Sequence, residues 1–209
     1  MSRSISGFAK YAWFVLVYNL GVVLWGAYVR ATGSGAGCGS HWPLCNGVVV
    51  PRQPQIETLI EFTHRLMSGL SILLLIGLLV WALRSLPKEH PARFGAKLSM
   101  FLIITEALVG ASLVLNRWVA ADESTMRVYA MGLHLINTFL LLAAIALTAW
   151  WASGGPRISL RDRGPIFWAL AVGLFGVMLI GVSGAVTALG DTLFPEATLA
   201  DNFSATAHL

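Results

Sequence analysis

Residues 60–83 read IEFTHRLMSGLSILLLIGLLVWAL, with a glutamate, a histidine and an arginine crowded into positions 61–65 and no further charge until Arg84. At about 1.5 Å of rise per helical residue, the uncharged part from Leu66 to Leu83 is long enough to cross most of a hydrocarbon core of about 30 Å. Comparable uncharged runs cover Tyr11–Val29, Val128–Ala152 and Ile166–Gly190, and Leu98–Leu115 is interrupted only by Glu106. The chain has 209 residues, 56% of them hydrophobic and 11% charged, with a mean hydropathy of +0.73. A soluble domain carries about 25% charged residues. The expectation is an all-α integral membrane protein with five transmembrane helices. The first is too long and too poorly flanked to be a cleavable signal.

The basic residues set an expected orientation. Arg3, Lys10, Arg84, Lys88, Arg93, Lys97, Arg157, Arg161 and Arg163 fall at the N-terminus and in the second and fourth loops, out of 14 Lys and Arg in all. The positive-inside rule then puts the N-terminus in the cytoplasm and the loop between the first two helices outside. The net charge of +4 is divided among short loops. It implies contact with membrane lipid and no nucleic-acid partner, since no basic face forms.

That first outer loop, roughly residues 30–57, is rich in Gly, Pro and Ser and holds both cysteines, Cys38 and Cys45. Outside the cytoplasm such a pair reads as a disulfide. Two free thiols remain the other reading. A zinc site is the weaker alternative, because the spacing is not a zinc spacing and His41 alone makes a poor third ligand. A loop this long in a compact bundle suits a lid or docking surface.

Gly21, Val22, Leu24, Gly26, Thr32 and Gly35 match Gly176, Val177, Leu179, Gly181, Thr187 and Gly190 at one constant offset. Small residues at four-spacings are common in membrane helices, so coincidence stays open. If the repeat is real, residues 1–152 form a four-helix bundle and 153–209 begin a second, incomplete one, with the chain cut short at Leu209.

His64 lies seven residues after Glu57, and His134 seven after Arg127. Two imidazoles at equal depth on parallel helices suit axial ligation of a heme iron. Glu61, three residues before His64, shares its helix face and stands one turn nearer the loop. Arg65, Arg30 and Arg127 are candidates for heme propionates. Charged groups inside a bilayer cost about 2.5–3.5 kcal/mol and so are functional candidates by default. The plainer readings are interhelical hydrogen bonds for the histidines and a Glu61–Arg65 pair. Glu106 is either a buried hydrogen-bonding group or a functional carboxylate. Met67 and Met131 read as packing. The Glu-x-x-His spacing also occurs in di-iron bundles, which need two such motifs and two more glutamates.

GAYVRATGSG (26–35), CGSHWPLCNG (38–47), IEFTHRLMSG (60–69), GLHLINTFLLL (132–142) and GAVTALGDTLFP (184–195) together resemble the heme A synthase family of cytochrome oxidase assembly enzymes. The resemblance implies eight helices in two similar four-helix bundles, each with a histidine pair, in a bacterial or mitochondrial inner membrane. It implies an oxidoreductase that converts a methyl group of heme O to the formyl group of heme A. Glu61 matches the family's essential glutamate, His64 and His134 the axial pair of the first bundle, and Cys38 and Cys45 the cysteine pair of some members. The family's heme b cofactor belongs to the second bundle's histidines, which this sequence does not contain, and FSATAHL resembles the approach to the sixth helix. Heme O synthase and cytochrome c oxidase assembly proteins are the partners implied; homo-oligomerisation is left open. The competing expectations are a non-catalytic b-type cytochrome and a helical-bundle assembly factor.

Overall fold

The computed structural model describes residues 6–120, 122–157 and 164–193. Five helices account for most of them: α1 (Gly7–Ala31), α2 (Ile56–Ser85), α3 (Pro91–Leu115), α4 (Thr125–Ala152) and α5 (Gly164–Leu193). All five are long and apolar enough to cross a membrane, and no strand occurs among the described residues. The chain is a multi-pass membrane protein. Each apolar run lies inside one helix, and the helices begin earlier than the runs because polar caps precede them. Ser6 accepts the backbone N–H of Ala9, His90 Nδ1 that of Ala92, and Ser124 that of Arg127. These side chains satisfy orphan amide donors of the first turns, and Pro91 adds a residue preorganised for a helix start. Arg3, Arg161, Arg163 and the segment from Phe194 onward lie outside the described residues.

The first four helices form an antiparallel bundle, joined by short connections except for the long loop between α1 and α2. α1 packs on α2 and α4, and α3 packs on α2 and α4; the diagonal pairs α1/α3 and α2/α4 are not among the packed pairs. One end of the bundle, the loop end, carries the long connection between α1 and α2. The hydrophobic core sits at the opposite end, from Phe8, Ala12 and Val15 of α1, Leu75, Leu78 and Ala82 of α2, and facing residues of α3 and α4 such as Ala96 and Ile145.

Register between α1 and α2 is fixed by a ladder of side-chain donors. Tyr11 donates to the carbonyl of Leu74 at 3.0 Å, Tyr18 to that of Met67 at 3.0 Å, and Trp25 to that of Ile60 at 3.1 Å. Each step advances seven residues on α1 and retreats seven on α2, the period at which two antiparallel helices return to the same contact face. Beside the middle rung, Ser71 donates to Asn19 Oδ1 at 2.7 Å in a buried interhelical bond. The ladder sets the height at which α2 presents its loop-end residues.

α5 lies against α4. Gly181, the repeat counterpart of Gly26, approaches the ring of Phe139 so closely that a Cβ would come within 2.7 Å of it. Most described α5 side chains beyond that contact are exposed.

Candidate heme site

At the loop end the bundle interior turns polar. His64 is the ninth residue of α2 and His134 the tenth of α4, so the two imidazoles stand about 12 and about 14 Å along parallel helices. They belong to the diagonal pair of helices and face the interior from opposite sides. They are near enough that a charge on His134 is felt at His64. Both are half-buried, and the Nδ1 atom of each is buried without a hydrogen-bond partner. Buried imidazole nitrogens without partners are uncommon in finished cores. Among the described residues no three or more His, Cys, Asp or Glu side chains converge to hold a bare ion. The donor set therefore suits a metal that brings its own equatorial ligands, with one imidazole on each side. These residues fit a heme.

The two hairpins that carry the histidines are built alike. Gly26, five residues before the end of α1, faces His64; its missing Cβ would lie 3.0 Å from the ring Cε1. Gly110, five residues before the end of α3, faces His134, with the corresponding distance 3.8 Å. One turn beyond each histidine a hydroxyl bonds back to its carbonyl: Ser68 to His64 at 2.8 Å and Thr138 to His134 at 2.9 Å. The sequence does not display this likeness, because the spacing from glycine to histidine differs between the two hairpins.

The cysteines form the disulfide Cys38–Cys45, and this loop is bound to the head of α2 through Glu61. Glu61 is only 3% exposed. Its Oε2 accepts the backbone N–H of Cys38 at 2.7 Å, and its Oε1 accepts from Arg65, whose Nε lies at 3.0 Å. Arg65 also donates to the carbonyls of His41 and Leu44, each at 2.6 Å. Glu61 and Arg65 thus pair with each other and with the loop backbone, and Arg65 spends its donors on the loop. Thr58 donates to the Gly37 carbonyl at 2.7 Å. Gly37 itself must be glycine, because a Cβ there would sit 2.4 Å from the Glu57 carbonyl oxygen.

Arg30 ends α1 and Arg127 opens α4, both toward the loop end. Arg127 is 4% exposed; its Nη1 donates to the Asp122 carbonyl at 2.6 Å, and its Nε is buried without a partner. Arg30 is close enough for its charge to act on Arg127. The two guanidinium groups therefore gather positive charge about one to two turns above the histidine pair, where an anionic edge would be drawn.

Sequence reasoning left Glu106 undecided. Its carboxylate accepts from Asn137 and Thr138, both on α4, and its Oε1 lies 3.4 Å from His134 Nδ1. Asn137 also donates to the Leu102 carbonyl at 2.9 Å and accepts from Thr105 at 2.8 Å. The signal was present in the sequence as a lone carboxylate in an apolar run, but its partners lie on another helix.

Helices that span a membrane, with an imidazole pair across the interior and two arginines above it, define a class of membrane bundle suited to holding a porphyrin. Within that class the chain belongs to the COX15-CtaA family of cytochrome oxidase assembly proteins, whose sequence profile matches residues 9–205. A Thermus thermophilus protein named protoheme IX farnesyltransferase is 61% identical over 190 residues, covering 91% of this chain and 31% of that protein. The heme A synthase of Shouchella clausii is 46% identical over 153 residues, 72% of this chain and 46% of its own length. That of Geobacillus kaustophilus is 35% identical over 147 residues, 70% of this chain and 43% of its own. The chain thus spans from about a third to under half of the curated relatives it matches. No solved structure matches it.

Proposed function

We propose that this chain is the substrate-holding portion of a heme A synthase, an oxidoreductase that converts a methyl group of heme O to the formyl group of heme A. The observation that carries the reading is the His64–His134 pair, at matched depth on diagonal helices and near enough for a charge on one to be felt at the other. The relatives named heme A synthase support it. The redox chemistry of the methyl oxidation is supplied by the heme system and its oxidant; the residues hold and orient. His64 and His134 are the residues that would hold a heme through its iron. Arg30 and Arg127 draw the propionates to the loop end, with Arg65 available to them only if the loop lets go. Glu61, one turn above His64, stabilises positive charge developing at the oxidised carbon or takes up its proton.

The wider assembly follows from the same reading. Residues 1–152 form the first bundle and 153–209 begin a second, where a heme b cofactor would be held. The bundle works in the inner cell membrane with its N-terminus in the cytoplasm. The Thermus relative, named for farnesyl transfer to protoheme IX, matches this sequence over under a third of its length. That supports heme O being made by a partner close to this bundle, with delivery onward to oxidase assembly proteins.

A second reading, a non-catalytic b-type cytochrome, is favoured by one observation: both oxygens of Glu61 are engaged by Cys38 and Arg65. One experiment separates the two. The chain is produced together with a heme O source, and the extracted pigments are identified by chromatography and mass. The enzyme yields a formyl heme; a cytochrome returns heme O unchanged. His64→Ala and His134→Ala should each abolish the low-spin spectrum. Glu61→Gln, which can still accept from Cys38 but carries no charge, should keep the spectrum and lose the formyl product. Full formyl heme from Glu61→Gln removes that residue from the chemistry.

A further inference from the structure

The two histidine hairpins match at glycine, histidine and hydroxyl, and on the side of the histidines away from the loop end one pair of positions sets them apart. Four residues before the facing glycine stands Val22 in α1 but Glu106 in α3, and three residues after the histidine stands Met67 in α2 but Asn137 in α4. On the side of its histidine away from the loop end, the second hairpin therefore carries a carboxylate and a side-chain amide where the first has Val22 and Met67; the first hairpin's own carboxylate, Glu61, lies toward the loop. Glu106 and Asn137 bond to each other, and Thr138 supplies a second donor, so both oxygens of Glu106 are engaged from α4. Asn137 is in turn fixed by Thr105 and the Leu102 carbonyl. The carboxylate is thus immobilised, and the atom it approaches is His134 Nδ1, at 3.4 Å. That nitrogen is buried and has no other partner. A small rotation of the ring brings the pair into hydrogen-bond range of about 2.7–3.2 Å. Among the described residues no carboxylate oxygen stands in ion-pair range of His64.

We propose that Glu106 is the positioning residue of His134: it receives the Nδ1 hydrogen, holds the imidazole in the tautomer whose Nε2 is the bare, ligating nitrogen, and makes it the more electron-rich of two unequal axial ligands. Metal-binding histidines are commonly oriented this way by a carboxylate behind the ring, and loss of such a partner costs about 10–100-fold in affinity or activity. A stronger donor on one side favours the ferric over the ferrous iron. The asymmetry also gives the pocket a direction. His134 is held by a fixed partner, whereas the His64 ring lies against Gly26 with no carboxylate in ion-pair range among the described residues. The role of Glu106 rests on the heme reading above, but its first consequence, the tautomer, does not need heme.

The test has two arms. In the first, histidine-labelled chain without heme is examined in detergent by nitrogen NMR. His134 is expected as a single Nδ1–H tautomer, turning into a mixture in Glu106→Leu. In the second arm the protein is loaded with hemin and its midpoint potential is titrated. Glu106→Gln, which keeps an acceptor but not the charge, is expected to lower the ferric-over-ferrous preference about tenfold, equivalent to about +59 mV for one electron. Glu106→Asp is expected to recover part of it. If Glu106→Leu does not fold, Asn137→Ser, which frees one carboxylate oxygen, carries the tautomer readout. Thermal stability that falls while tautomer and potential stay unchanged would overturn the proposal and leave Glu106 as a tie between α3 and α4. A single His134 tautomer in a chain that binds no hemin would uphold the positioning role and count against the heme reading instead.

Discussion

Gly26 and Gly110 face the two histidines from equivalent places, yet they leave unequal room. At Gly26 a methyl group would stand 3.0 Å from the His64 ring, whereas at Gly110 it would stand 3.8 Å from that of His134. The first is an overlap that the ring must relieve by moving; the second is an ordinary contact. Overpacking of this kind costs about 1–3 kcal/mol, and each 1.4 kcal/mol is about tenfold in affinity. Gly26→Ala should therefore weaken hemin binding by roughly five- to 100-fold, while Gly110→Ala should change it less than about twofold. Soret titration of both variants checks this, and equal effects would mean that His64 is not seated as described. The histidines, Glu61 and the arginines were legible in the sequence because each is out of place in an apolar run. Gly26 stood there only as a member of a repeat, and its contact with a ring on another helix leaves no mark in composition. The bonding of Glu61 to the Cys38 amide was equally hidden, since a backbone donor has no letter.

Helix positions were legible for a different reason. Lipid excludes unsatisfied backbone, so an apolar run of spanning length has to be a helix, and all five runs are. What the runs could not reveal is how far each helix is slid along its neighbour. The side chains of Tyr11, Tyr18 and Trp25 are visible at seven-residue spacing, but the acceptors are carbonyls of Leu74, Met67 and Ile60. Hydrogen bonds between membrane helices average about 0.6 kcal/mol. Tyr11→Phe, Tyr18→Phe and Trp25→Phe should each lower thermal stability in detergent by about that amount. The rungs differ in what else they govern. Trp25 holds Ile60, one turn from His64 and beside Gly26, so Trp25→Phe should also shift the hemin spectrum or affinity, whereas Tyr11→Phe, at the apolar end, should lower stability alone. A spectral shift of the same size in both would argue that register is set by packing rather than by the ladder.

Across the whole molecule, polarity is graded along the bundle axis. The apolar core occupies the end where α1 begins and α2 finishes, while Glu61, Arg127, Asn137 and both histidines gather toward the loop end. A heme held there would lie near one membrane face, beneath the loop that carries the disulfide, a bond that persists in oxidising compartments. The basic residues are concentrated at the opposite end, at Lys10, Arg84, Lys88, Arg93, Lys97 and Arg157 among others. Both asymmetries argue for the same orientation, with the loop end outside. Val49, 75% exposed in that loop, and Ser85, exposed at the far end of α2, report the two faces. The native cysteines are tied to each other, so an introduced thiol is the one available to a reagent. In intact cells or right-side-out vesicles, Val49→Cys should react with a membrane-impermeant maleimide, and Ser85→Cys only after permeabilisation. The reverse pattern would put the heme site on the cytoplasmic face, where a structural disulfide would be kept reduced and the clamp on Glu61 would open.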